Sequence, residues 1–124
     1  MREIKFRAKS LDGIWEYGEL HLLCMHPHIH TIIGKKYIDK NTVGQFTGLK
    51  DKNGKEIYEG DIIRTYGSKG DEIKHTVCYS DKEAMFCTKL IGADMLGGSI
   101  TQRWLDEFEF EVIGNVHDNP QLLK

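Results

Sequence analysis

The sequence predicts an all-β fold with a small barrel built mainly after Val43, and three observations carry that reading. Apolar residues recur at period two, as in I-K-F-R-A at 4–8 and F-E-F-E-V at 108–112, the spacing that turns one face of a strand to a core and the other to water. Thirteen glycines, several beside Asn or Asp, supply turns and corners of the kind that bend small barrels. No stretch longer than about ten residues keeps a 3.6-residue apolar period, and the one helix candidate, 100–106, is a turn or two long.

The chain opens with Ile4, Phe6 and Ala8 alternating with Glu3, Lys5, Arg7 and Lys9, a strand with one wet face. Asp12-Gly13 turns it into I-W-E-Y at 14–17, so a β-hairpin stands at the start. Residues 21–30 read as irregular, because Pro27 cannot donate to a sheet ladder. Short strands follow at 31–33 and 36–38, around Gly34. A boundary near 41–43 divides the chain into an amino-terminal hairpin unit, 1–42, and a barrel domain, 43–124.

Turn and strand chemistry is densest at 43–64, V-G-Q-F-T-G-L-K-D-K-N-G-K-E-I-Y-E-G-D-I-I-R. Asn53-Gly54 suits the positive φ required at both central positions of a type I′ hairpin turn. Gly60-Asp61 interrupts an apolar run as a glycine at a bulge does, bending the strand without ending it. Gly44 and Gly48 around Phe46 predict a further kink. Residues 73–79 and 85–91 read as an antiparallel pair, with glycine-rich connections at 67–71 and 92–99. The clearest strand is at 107–116, where Phe108, Phe110, Val112 and Val116 alternate with Glu107, Glu109, Glu111 and Asn115.

The opening M-R-E-I-K-F-R-A, the central Q-F-T-G-L-K-D-K-N-G-K-E-I-Y-E-G-D-I-I and the closing F-E-V-I-G-N-V-H-D-N-P-Q-L-L together resemble the YopX-like family of small bacteriophage and prophage proteins. Residues 20–38 and 67–102 carry no family signature. The resemblance implies a β-rich chain whose carboxy-terminal part is an SH3-type barrel or β-roll, with the amino-terminal hairpin as an extension. It implies no activity, since the family is of uncharacterised function and offers no catalytic or binding residues to carry over. Gly48, Asp51, Asn53, Gly54, Gly60, Asp61, Gly114 and Asn115 within the motifs are residue types that serve backbone geometry, and a structural role is expected of each.

Charged residues at 29% and hydrophobic residues at 40% are globular values, and a net charge of −2 gives no global reason to bind nucleic acid or anionic lipid. The charged start lacks the apolar core of a signal peptide, and no segment has the length of a membrane span, so a cytoplasmic chain is expected, in the host cytoplasm if phage-encoded. Three cysteines without C-x-x-C argue against a disulfide framework and a four-cysteine zinc site. Cys78 and Cys87 flank 80–83, and if that segment is a hairpin loop they lie within a residue of facing each other as buried free thiols.

His26, His28 and His30 alternate at the strand period, which on an extended segment projects all three to one side, neighbours about seven ångströms apart. Two such imidazoles can share a zinc or nickel ion, with His21 or Cys24 as a third ligand. Pro27 disturbs that geometry, and partly exposed loop histidines with incidental metal affinity are expected ahead of a catalytic site. Lys50, Lys52, Lys55 and Lys69 with Phe46, Tyr58 and Tyr66 offer a basic, aromatic face of the sort small barrels use on single strands, diluted by Asp51, Glu56, Glu59 and Asp61. Among the acids Asp106, Glu107, Glu109 and Glu111, three fall on the wet face of one strand.

No base stands beside a nucleophile, so no catalytic residue and no cofactor is assigned. The sequence therefore points to a non-enzymatic binding or assembly module that forms homo-oligomers. A protein partner is a further expectation, nucleic acid is unsupported by net charge, and no membrane is involved. The rival reading is a small metal-dependent hydrolase centred on residues 21–30.

Overall fold

The computed structural model describes residues 2–22, 25–93 and 96–124 and divides into two compact units, Met1–Gly48 and Leu49–Lys124. The expectation placed on Cys24 falls outside the described residues. The fold is all-β, with two antiparallel sheets and one short helix among those residues.

The amino-terminal unit contains β1 (Phe6–Lys9), β2 (Trp15–His21), β3 (His28–Thr31), β4 (Gly34–Tyr37) and the first part of β5 (Gly44–Lys50), which runs on into the second unit. The first sheet has the order β4-β3-β2-β1-β5, extended beyond β5 by β6 (Glu56–Tyr58). Residues 21–30 are thus more regular than expected: β2 reaches His21 and β3 starts at His28. Pro27 lies just before β3, where its missing N–H breaks no ladder, and its carbonyl accepts from the Ile38 N–H at 3.1 Å.

Strand β2 serves two neighbours in turn. Trp15 to Gly18 face β1 (Lys9↔Trp15 to Phe6↔Gly18), and Glu19 to His21 face β3 (Glu19↔His30 to His21↔His28). Gly18 stands at the changeover, and a Cβ built there would lie 1.9 Å from the His30 carbonyl oxygen, so only glycine lets β3 approach this closely. Ala8, Ile29 and Ile38 form the small core, with Leu20 and Val43 packed on it.

The carboxy-terminal unit contains β7 (Asp61–Tyr66), β8 (Glu72–Ser80), β9 (Met85–Leu90), β10 (Leu96–Ser99), α1 (Gln102–Glu107) and β11 (Glu111–Asn115), with sheet order β10-β9-β8-β7-β11. Strands β10 and β11 are its two ends, so the sheet is open and does not close into the barrel the sequence predicted. One glycine explains the difference. Gly60, expected to bend one strand round a barrel corner, instead stands where the chain leaves the first sheet for the second. Ile57, Ile63, Val77, Ile100, Leu105 and Phe110 make the core of this unit.

Three local expectations are corrected. At 51–55 only Gly54 takes positive φ, and Gly54 N–H donates to the Asp51 carbonyl (3.0 Å) while Asp51 N–H donates to the Lys55 carbonyl (2.9 Å). This is a three-residue loop ending in a left-handed glycine, not a type I′ turn. At Gly60 (φ +89°) the strand ends: β6 lies in the first sheet and β7 in the second, and the Asp61 carboxylate accepts from the Tyr58 N–H at 2.8 Å across the corner.

The run 107–116 is not one strand. Thr101 caps α1 by accepting from the Trp104 N–H at 3.1 Å, and the helix takes in Asp106 and Glu107. Glu109 has φ +51°, and β11 starts only at Glu111, so Phe108 is half exposed while Phe110 is buried. Alternation in the sequence spans a helix end, a turn and a strand start, and the cap and the burial of Leu105 and Phe110 override its period.

Candidate functional site

On the β2–β3 hairpin, Leu20 and Ile29 oppose each other and pack in the small core. Because side chains alternate across a strand, that burial fixes the register and puts Glu19, His21, His28 and His30 together on the other face. One nitrogen from each of His21, His28 and His30 lies within 4.8 Å of the others. His21 and His28 stack with ring centroids 4.8 Å apart and planes 5° from parallel, while His30 is tilted against both. The Glu19 carboxylate is 3.5 Å from His21 Nε2.

His28 is buried, His21 half-buried and His30 exposed. Nδ1 of His28 lies 2.9 Å from the His26 carbonyl oxygen, a contact that orients the ring. His26 itself stands outside the cluster, its ring edge-on to Tyr37 at 5.8 Å. Of the three histidines the sequence grouped, the structure brings together two and replaces the third by His21. Glu19 escaped the sequence reading because its relation to His30 is a cross-strand register, which spacing along one segment does not reveal.

The same unit holds an open groove of about 960 Å³ lined by Lys9, Leu11, Leu22, Met25, Asp39 and Lys40 among others. Leu11 is 73% and Met25 90% exposed, so large apolar side chains stand in water at the groove beside the charged Lys9, Asp39 and Lys40.

In the carboxy-terminal unit the motif residues organise backbone. Asp51 is buried, and its carboxylate accepts from the N–H groups of Asn53 (2.8 Å), Lys55 (2.9 Å) and Val112 (2.8 Å), tying the hairpin loop to β11. Asn115 Oδ1 accepts from His117 N–H (3.0 Å) and Asp118 N–H (2.9 Å). A Cβ on Gly114 would sit 2.5 Å from Asn119 Oδ1. Gly48 takes φ +86° within β5.

The expected basic aromatic face is not assembled, because Phe46 and Tyr58 are buried; Tyr66 is exposed, with the Arg64 guanidinium 5.3 Å from its ring centre. Arg64 also bonds Glu111, its cross-strand partner, and holds that carboxyl below the usual carboxylate range. Cys78 and Cys87 face each other directly across β8 and β9, sulfurs 3.1 Å apart, and burial followed by the Cys87 contact pushes the Cys78 thiol up to about 12. Such a thiol is inert at neutral pH.

No curated protein matches the sequence. Among solved structures, protein EF1440 from Enterococcus faecalis is similar over the whole of both chains, at 25% identity and a TM-score of 0.57. The family described as YopX protein matches residues 5–124. That match takes in both units and every motif residue described above, and the chain belongs to the YopX family.

Proposed function

We propose that this YopX-family chain is a non-enzymatic phage or prophage accessory protein that works as a binding and assembly module, pairing copies of itself through the amino-terminal unit. The observation that carries the reading is the exposure of three large apolar side chains, Leu11, Leu22 and Met25, that line one groove. Exposed apolar groups gathered around a concavity are an interaction surface in small proteins, and pairing of copies is the simplest way to cover them. Strand addition is the less suitable route, because β4, at the end of its sheet, carries Lys35 and Lys36, which discourage edge pairing.

Sedimentation equilibrium of the wild type should give a mass well above 14.3 kDa across the micromolar range. The Leu11→Glu, Met25→Glu double variant should run as a monomer. A wild type that fits a single 14.3 kDa species throughout removes the reading.

A further inference from the structure

We propose that Glu19, His21, His28 and His30 form a binding site for a borderline divalent ion, zinc above all, on the outer face of the β2–β3 hairpin. Three imidazoles converge from two strands whose register is held by the pairing of the fully buried Ile29 with the half-buried Leu20 behind them, so the grouping is tied to the core of the unit. The donor set decides the ion. Zinc takes imidazole nitrogen readily and accepts three protein ligands with an open fourth position, whereas magnesium and calcium require oxygen on nearly every side.

In a tetrahedral site with Zn–N of about 2.0–2.1 Å, neighbouring nitrogens are roughly 3.4 Å apart. The nitrogens of the cluster lie within 4.8 Å of one another, so closure requires movements of about 1.5 Å or less, within the reach of imidazole rotation about χ1 and χ2. The His28 ring is held by its Nδ1 contact with the His26 carbonyl at 2.9 Å, the kind of outer-sphere contact that orients metal-binding histidines. Glu19, 3.5 Å from His21 Nε2, supplies the negative charge that a divalent ion seeks. On β4, Lys35 opposes His30 and Tyr37 opposes His28, and the Lys35 ammonium lies over the Tyr37 ring at 5.7 Å. The site is independent of self-association.

The test is zinc titration of the full untagged chain against a chromophoric chelator, with cobalt(II) as an optical probe of coordination geometry. One equivalent of zinc should bind, and cobalt(II) should develop the intense visible bands of a four-coordinate ion. His30→Ala, at an exposed position that leaves the core untouched, and His21→Ala should each weaken zinc by about tenfold or more, and Glu19→Gln by about tenfold or less. His26→Ala keeps the backbone carbonyl that His28 uses and should leave zinc affinity within about twofold, a smaller change than that produced by losing a ligand. Circular dichroism of each variant separates lost ligands from lost fold. Absence of stoichiometric zinc binding, octahedral cobalt spectra, or a His26→Ala loss equal to that of folded His30→Ala would overturn the site.

Discussion

Among the described residues, four hydrophobic side chains are buried in the amino-terminal unit and nine large ones are exposed, whereas in the carboxy-terminal unit nine are buried and four exposed. The inversion shows a division of labour. Residues after Gly48 spend their apolar surface on a core, and residues before it keep theirs, with the histidine cluster, at the surface. The two units nevertheless use the same turn device. Ser10–Ile14, 51–55 and 67–71 are all three-residue hairpin loops closed by paired backbone bonds, with Gly13, Gly54 and Gly70 left-handed at φ near +80°. What differs is the closing residue, since Asp51 binds three backbone N–H groups and reaches β11, while Ser10 Oγ accepts one, from Ile14, at 3.3 Å.

The largest effect should come from breaking that difference. Asp51→Ala removes the acceptor of three N–H groups, two of them in the loop and one in β11, and should cost about 3 kcal/mol or more in urea denaturation. Ser10→Ala in the other hairpin should cost about 1 kcal/mol or less. Equal costs would mean that Asp51 is no more than a turn residue.

Gly18→Ala comes next, because its Cβ would overlap the His30 carbonyl and force β2 and β3 apart at a cost of about 2 kcal/mol. Amide hydrogen exchange should accelerate at the β2–β3 ladder while the β7–β8 ladder stays protected. Uniform acceleration would show that the two units open together.

A smaller effect concerns acid. His75, edge-on to Trp104 and Phe110, has its imidazole pushed below the usual value by burial. Its folded-state value is depressed, so the stability it contributes is complete above about pH 6.5 and is lost as pH falls further. His75→Phe should flatten the stability profile just below pH 6.5; an unchanged profile would assign that acid sensitivity to other groups.

The smallest change is a gain. Ala84 holds φ +52° in the β8–β9 loop, and Ala84→Gly should stabilise by about 0.5 kcal/mol, the relief of left-handed strain less the added flexibility of the unfolded chain. A loss of stability on thermal denaturation would mean that the alanine methyl packs.

Sequence alone determined the all-β class, the first hairpin, the β8–β9 pair that sets Cys78 against Cys87, and the helix turn near 102. These rest on contacts a few residues apart in the chain, which period and turn chemistry encode directly. The open sheet, the Gly60 crossing from one sheet to the other, and the break of 107–116 into helix and strand were decided by tertiary structure. Period two cannot distinguish a curled strand from two strands in different sheets, nor show that a capped turn will bury Leu105 and Phe110 more favourably than a continued strand. The histidine site lies between these cases. His28 and His30 on one face were legible from alternation, but the choice of His21 and Glu19 over His26 required the register between β2 and β3, and the packing of Leu20 and Ile29 settles that register only once the chain has folded.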